Sequence, residues 1–366
     1  MNFSVFSRKT VLTAFLIFCF SITLGVFTPA TSEAISIGQI FNAGSAIAQK
    51  QQVVKELEYY DNAGRDQWFE ELKKSDGVNN DPELNALLDN IMEKLTTAIA
   101  KTEPSITEKP YNYFVNPKKT FNAYCSLGHN ISVNTGAFAF LPNEEQLAVV
   151  VAHELVHGQR NHPINGAKKQ LNANLAYTIV AQGLGSNQRI AAAILVQNFK
   201  ATGITKPGEW EADNVAVGYL ITAGYNPGAP ASVWQRVMVN SKSASKDIFT
   251  DILSPSTHPS AEERRDNYAK KLAEYCKGKV YVDSATGEIK VNNKTFMKPV
   301  AFANMSGLER AYLIAGNLAK VYHNNQDAQK VHIYEGSIMI GHHYIAYPCP
   351  EDEDIETLVE KLTQIK

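Results

Sequence analysis

Residues 144–163, EEQLAVVVAHELVHGQRNHP, place His153 and His157 four positions apart, with Glu154 directly after the first. On a helix, residues four apart project from one face, so both imidazoles can reach a single metal ion. Glu154 then stands about a hundred degrees round the axis, beside them. This H-E-x-x-H spacing supplies two nitrogen ligands and a carboxylate able to handle the proton of a bound water, which is what zinc-dependent peptide hydrolysis needs. The neighbours are apolar: Val149, Val150 and Val151 precede the motif, and Leu155 and Val156 lie within it. Burying two imidazoles and a carboxylate in such a run is costly unless something compensates them. The plain alternative is a buried helix that carries two histidines by coincidence.

Catalytic zinc usually takes three protein ligands and keeps a fourth position for water. A third histidine in the H-E-x-x-H-x-x-G-x-x-H arrangement would fall at Pro163, and its glycine at Arg160, so that arrangement is excluded and His162 stands out of register. The other source is EWEAD (209–213), where Glu209 and Asp213 are again four apart. One could bind metal while the other hydrogen-bonds a ligand imidazole and fixes its tautomer. An ordinary solvated acidic helix start explains the same residues equally well.

The elements that must position these groups are legible from local signals. Residues 35–62 have helical spacing, and 81–100 reads as a helix with Asp81 as cap and Pro82 at its first position. Residues 111–116 read as a strand, and 129–141 as a strand ending in a turn. The helix carrying the motif starts at Asn143, with Gln146 placed to complete a capping-box-like arrangement. Small-residue helical stretches follow at 170–184 and 188–201. Further helices are expected at 206–224, closed by Gly224, and at 260–276, with Ser260 and Glu263 as a capping box. From Lys277 the texture changes to a hairpin (279–292), a helix (306–324), two strands (331–348) and a terminal helix. A boundary near 277 is therefore expected.

The chain has 366 residues, is 44% hydrophobic and 20% charged, and carries a formal net charge of −2. That balance suggests neither a nucleic-acid footprint nor a strongly basic membrane-surface protein. Arg8 and Lys9 precede an apolar stretch from Val11 to Phe27, followed by small Ser32 and Ala34, which together read as a secretory signal peptide over 1–34. An uncleaved anchor is the alternative, since the stretch is long for a leader and short for a span. Either way the body is expected to be exported. Three cysteines remain after the leader, so at most one disulfide can form, with Cys276 and Cys349 the candidate pair.

The combination of motifs resembles the M48 family of zinc metallopeptidases. H-E-x-x-H is followed by E-x-x-A-D, and four further stretches agree in order: NAYCSLGHNISVNTG (122–136), HGQRNH (157–162), AGYNPGAP (223–230) and STHPSAEER (256–264). The resemblance covers roughly residues 80 to 275. It implies an α+β fold: a mainly helical zincin catalytic domain of the gluzincin type with a small β-sheet, over 35–276. A small α+β domain, outside the resemblance, is expected over 277–366. It also implies one Zn²⁺ held by His153, His157 and Glu209, with Glu154 as general base and Asp213 behind the ligands. His258, in STHP, sits where relatives bring a loop to the mouth of the site, to support the oxyanion or to hold the enzyme latent.

On this reading the strand around Ile131, Ser132, Val133 and Asn134 pairs with an extended substrate by strand addition, through main-chain hydrogen bonds. That mode depends little on side chains and suits a quality-control endopeptidase. Its expected partners are unfolded or misassembled envelope polypeptides in the periplasm or cell envelope. Residues 170–201 are expected to form a flap, with membrane-surface contact as one possibility and plain helical packing as the other. Two rival classes are an assembly chaperone with a latent zinc site, and a zinc-containing binding protein without turnover. An intact Glu154 speaks against the second, since a purely structural site needs no base.

Overall fold

The computed structural model describes residues 50–366 apart from 142, 179–204 and 242–258, and omits the side chains of 170 and 172–178. The leader, His258 and most of the 170–201 stretch lie outside these residues. In chain order the first elements are α1 (50–61), α2 (Arg65–Asp76), α3 (Pro82–Ala100), α4 (Ser105–Glu108), β1 (Asn112–Asn116), β2 (Ala123–Ser126) and β3 (Asn130–Asn134). Then come α5 (Thr135–Phe140), α6 (Glu144–Gln159), α7 (His162–Thr178), α8 (Lys206–Thr222), α9 (Ala229–Asn240) and α10 (Ala261–Tyr275). The C-terminal part adds β4 (Val280–Val282), β5 (Ile289–Val291), β6 (Lys294–Met297) and α11 (Gly307–His323), then β7 (Val331–Tyr334), β8 (Ser337–Ile340), β9 (His343–Ala346) and α12 (Ile355–Ile365). The fold is α+β and mainly helical, with three small sheets.

Capping chemistry sets the helix starts. The Asp81 carboxylate accepts from the amides of Glu83 (2.9 Å) and Leu84 (3.3 Å) at the start of α3. Asn143 accepts from the Glu145 amide at 2.8 Å and so begins α6. Gln146 does not complete a box there: its side chain runs to Ser232 Oγ (3.0 Å) and Glu309 Oε1 (2.9 Å). Ser260 and Glu263 make both halves of a capping box on α10. At the far end of α8, Gly224 takes φ +84° and lets the Tyr225 amide return to the Leu220 carbonyl at 2.9 Å.

The first sheet has the order β1-β3-β2, with β3 parallel to β1 and antiparallel to β2. This corrects the substrate strand. Ile131, Ser132, Val133 and Asn134 lie on the central strand, wholly buried, with both hydrogen-bonding edges taken by neighbours. They have no edge left for an added strand. The sheet edge beside α6 is β2. The turn expected after β3 is instead the short helix α5.

Beyond Lys277 the expected hairpin gains a third strand, β6, and the expected strand pair is the three-stranded β7-β8-β9. Helix α11 packs on α9 and α10, and one hydrophobic core runs from Leu88 to Leu362 without a break at 277. Cys125, Cys276 and Cys349 are all free thiols, so the candidate Cys276–Cys349 bridge is absent. No helix of the described residues is long and apolar enough to cross a membrane.

Candidate metal centre

Four elements meet at the motif. Helix α6 carries His153, Glu154 and His157, all buried; α8 packs along it and brings Glu209 and Asp213; β2 and α10 close two further sides. Gly158 lets α6 lie close to the sheet. A Cβ there would sit 2.2 Å from the Tyr111 hydroxyl, which donates to the Leu155 carbonyl at 2.7 Å.

His153 Nε2 and His157 Nε2 face each other at 2.9 Å, and the two Glu209 carboxylate oxygens stand 3.5 Å from them, one oxygen from each ring. Tetrahedral ligands at zinc's usual 2.0–2.1 Å lie roughly 3.3–3.4 Å apart, close to this spacing. A group formed by His153, Glu154 and His157 also brings one ligand atom from each within 4.8 Å of the others. The two glutamates are held differently. Glu154 Oε2 accepts from the Cys125 amide of β2 at 2.8 Å. Glu209 instead bridges both imidazoles.

Outside the ligands, Asp213 lies 3.0 Å from His153 Nδ1. It also accepts from Arg264 Nε (2.7 Å), from a second Arg264 nitrogen, and from the Tyr268 hydroxyl (2.8 Å). Arg264 stacks its guanidinium 3.7 Å over the Trp234 ring and reaches within 3.8 Å of Glu209. Asp213 therefore holds a proton on His153 Nδ1, which makes Nε2 the nitrogen that would face a metal. On the other ring, His157 Nδ1 lies 2.7 Å from His162 Nδ1, and His162 Nε2 lies 3.3 Å from Glu211.

The electrostatics ask for a cation. Among the described residues Glu154, Glu209 and Asp213 are buried beside one guanidinium, Arg264, an excess of two negative charges when all are ionised and His153 is neutral, and of one when His153 is protonated. Burial alone would discharge His153, yet hydrogen bonds to Asp213 and Glu209 outweigh it and push its pKa up to about 10. Burial and the charge on His153 hold His157 well below its ordinary value. Burial, reinforced by the Glu209 charge, raises Glu154 to about 7. The pocket thus favours one positive charge between the two rings, and a divalent ion there would also cancel the carboxylate excess. The residues fit zinc.

The sequence placed His153, Glu154, His157, Glu209 and Asp213, and the structure brings these five together. Arg264, Tyr268, Trp234, His162, Glu211 and the Cys125 amide carried no role in that reading. Arg264, His162, Cys125 and Glu211 had a signal, lying in STHPSAEER, HGQRNH, NAYCSLGHNISVNTG and EWEAD; Tyr268 and Trp234 act across elements and left none.

Comparison with known proteins gives the same picture. The family model described as peptidase family M48 matches residues 82–270, just over half of the chain. A putative beta-barrel assembly-enhancing protease of Vibrio cholerae is 26% identical over 223 residues, covering 57% of this chain and 43% of that protein. The beta-barrel assembly-enhancing protease of Escherichia coli (strain K12) is 22% identical over 253 residues, covering 67% of this chain and 49% of its own length. The mitochondrial metalloendopeptidase OMA1 of Saccharomyces cerevisiae is 24% identical over 200 residues, covering 52% and 56%. The chain thus spans about half the length of these relatives. With the motif, the converging ligands and the family match together, the chain belongs to peptidase family M48.

Proposed function

We propose that this chain is a zinc-dependent endopeptidase acting on unfolded or misassembled exported polypeptides. The observation that carries the reading is the convergence of His153 Nε2, His157 Nε2 and the Glu209 carboxylate, with Glu154 beside them. When bound, zinc supplies a Lewis acid for the scissile carbonyl and brings the pKa of a coordinated water towards about 7. His153, His157 and Glu209 would hold it, and Asp213, clamped by Arg264 and Tyr268, keeps the His153 ring in place. Glu154 takes the attacking water's proton and hands it to the leaving nitrogen.

An extended substrate would add to β2. Register puts Ala123 and Cys125 opposite Val133 and Ile131, and the Asn134 amide bonds to Asn122. By the alternation of antiparallel ladders, the main-chain groups of Ala123 and Cys125 then point away from β3. The Cys125 amide points at Glu154, so a chain laid along this edge passes the proton acceptor. His258 would support the oxyanion; if so, His258→Ala lowers kcat without changing zinc content, whereas a rise would mark a latency loop.

The relatives' names, which speak of beta-barrel assembly and of a mitochondrial metalloendopeptidase, support a quality-control role at a cell envelope. The leader-like start of the sequence supports export. The test is cleavage of casein beside a tightly folded protein by the purified chain. Cleavage of casein alone, abolished by a chelator and restored by zinc, is expected; equal cleavage with and without chelator would reject the metal mechanism.

A further inference from the structure

The two ligand imidazoles are held from behind by different means. His153 has a buried carboxylate, Asp213, whereas His157 has another histidine, His162, at 2.7 Å between the two Nδ1 atoms. One of those two nitrogens must carry the proton. The far side of His162 decides which: its Nε2 lies 3.3 Å from Glu211 Oε2, and a carboxylate accepts. A neutral His162 that donates from Nε2 to Glu211 has a bare Nδ1, which must accept from His157 Nδ1–H. His157 Nε2 is then bare and faces His153 Nε2 at 2.9 Å across the place where a metal would sit. The reverse arrangement would put the proton on His157 Nε2, between the ligands, and close the site.

Glu211 is fixed in turn. Its other oxygen lies 3.5 Å from Arg160 Nε, and Arg160 is gripped by Glu103 through two nitrogens at 3.0 Å each. Tyr219 also donates to Glu103, at 2.8 Å. The chain of contacts therefore runs Glu103–Arg160–Glu211–His162–His157 and ends at the metal position, and α7 supplies His162, the first residue of that helix.

We propose that His162, oriented by Glu211, is the positioning residue of His157: it accepts the Nδ1 proton and so presents Nε2 to the metal. This rests on the reading of His157 as a metal ligand. It makes HGQRNH a functional unit, in which the first histidine binds and the last one aims it.

The test measures zinc affinity of the full chain by competition with a chromogenic chelator, beside thermal melting. Outer hydrogen-bond partners of metal ligands are worth about 10–100-fold in affinity. His162→Leu, which removes the acceptor, is expected to weaken zinc by that order. His162→Asn keeps an oxygen near the Nδ1 position and should recover most of it. Glu211→Ala, at a more exposed position, should weaken zinc by a smaller factor and serves if His162→Leu melts early. Wild-type affinity in both His162→Leu and Glu211→Ala would overturn the proposal, as would equal losses in the Leu and Asn variants at unchanged melting temperature. His157→Ala separates the two levels. If it abolishes tight binding while His162→Leu does not, only the positioning role fails; if His157→Ala binds zinc normally, the ligand reading fails and takes this inference with it.

Discussion

Helix α6 touches two buried polar clusters, one at each end, and they are built on opposite principles. Near its start, Gln146 meets Glu309 of α11, and Glu309 also accepts from Arg236 at 3.0 Å. Arg236 also donates from Nε to the Phe140 carbonyl (2.7 Å) and from Nη1 to the Asn304 carbonyl (3.0 Å). One guanidinium meets one carboxylate, and each named donor has an acceptor. Near the other end, Glu154, Glu209 and Asp213 outnumber the one guanidinium among them, Arg264, and the cationic His153 together, and two imidazole nitrogens face each other at 2.9 Å. A balanced cluster needs nothing further and fastens α11 to α6. An unbalanced one needs a ligand, which is how perturbed groups come to mark functional sites.

The comparison can be broken most sharply at the ligands. Glu209→Ala removes the carboxylate that bridges both imidazoles, so tight zinc binding and casein cleavage should both be lost while the fold persists; metal analysis after gel filtration checks this. Asp213→Asn leaves the ligand set intact but loosens the His153 ring, and zinc affinity should drop by about 10–100-fold. In the balanced cluster the effect should appear as stability instead. Glu309→Ala leaves Arg236 buried beside two carbonyls without its counter-ion, and breaking such a pair costs about 3–5 kcal/mol. Denaturant unfolding should show that loss, with zinc stoichiometry kept in the protein that remains folded.

The smallest expected effect is an acid-range one in the same C-terminal part. Burial would raise the Asp352 carboxyl, but Arg310 and the amides of Val300 and Cys349 overcome it and hold the pKa at about 2, below its ordinary 3.8. A carboxyl lowered on folding adds stability above its unfolded value and loses it as pH falls through the folded one. The wild type should therefore lose urea resistance between about pH 4 and pH 2. Asp352→Asn should be weaker at pH 5 but show less of that decline.

What the sequence revealed follows the range of the interactions. Asp81, Asn143 and the Ser260–Glu263 box lie within three residues of the amides they cap, and His153 and His157 within one helical turn of each other, so spacing alone predicts them. Strand order is non-local: nothing within NISVN says that β1 and β2 flank it and leave Ile131–Asn134 no free edge. The missed C-terminal strands trace to tight turns. Asn292 and Asn293 both take positive φ (50° and 66°), as do Glu335 and Gly336 (47° and 73°), the signature of two-residue hairpin turns. Asn292 and Asn293 fall at and just past the end of the expected hairpin (279–292), and Glu335 and Gly336 within the expected strand pair (331–348). His162 and Glu211 escaped for the same reason as the strand order, since 49 positions separate them.

The most direct test of the central claim is paired zinc analysis and casein cleavage on the full chain and its Glu154→Gln variant. The account predicts one zinc per chain in both, with cleavage in the variant reduced by about 10²–10⁴-fold, the usual worth of a positioned general base. Undiminished cleavage by Glu154→Gln, or a wild-type chain that cleaves casein without zinc, would contradict it.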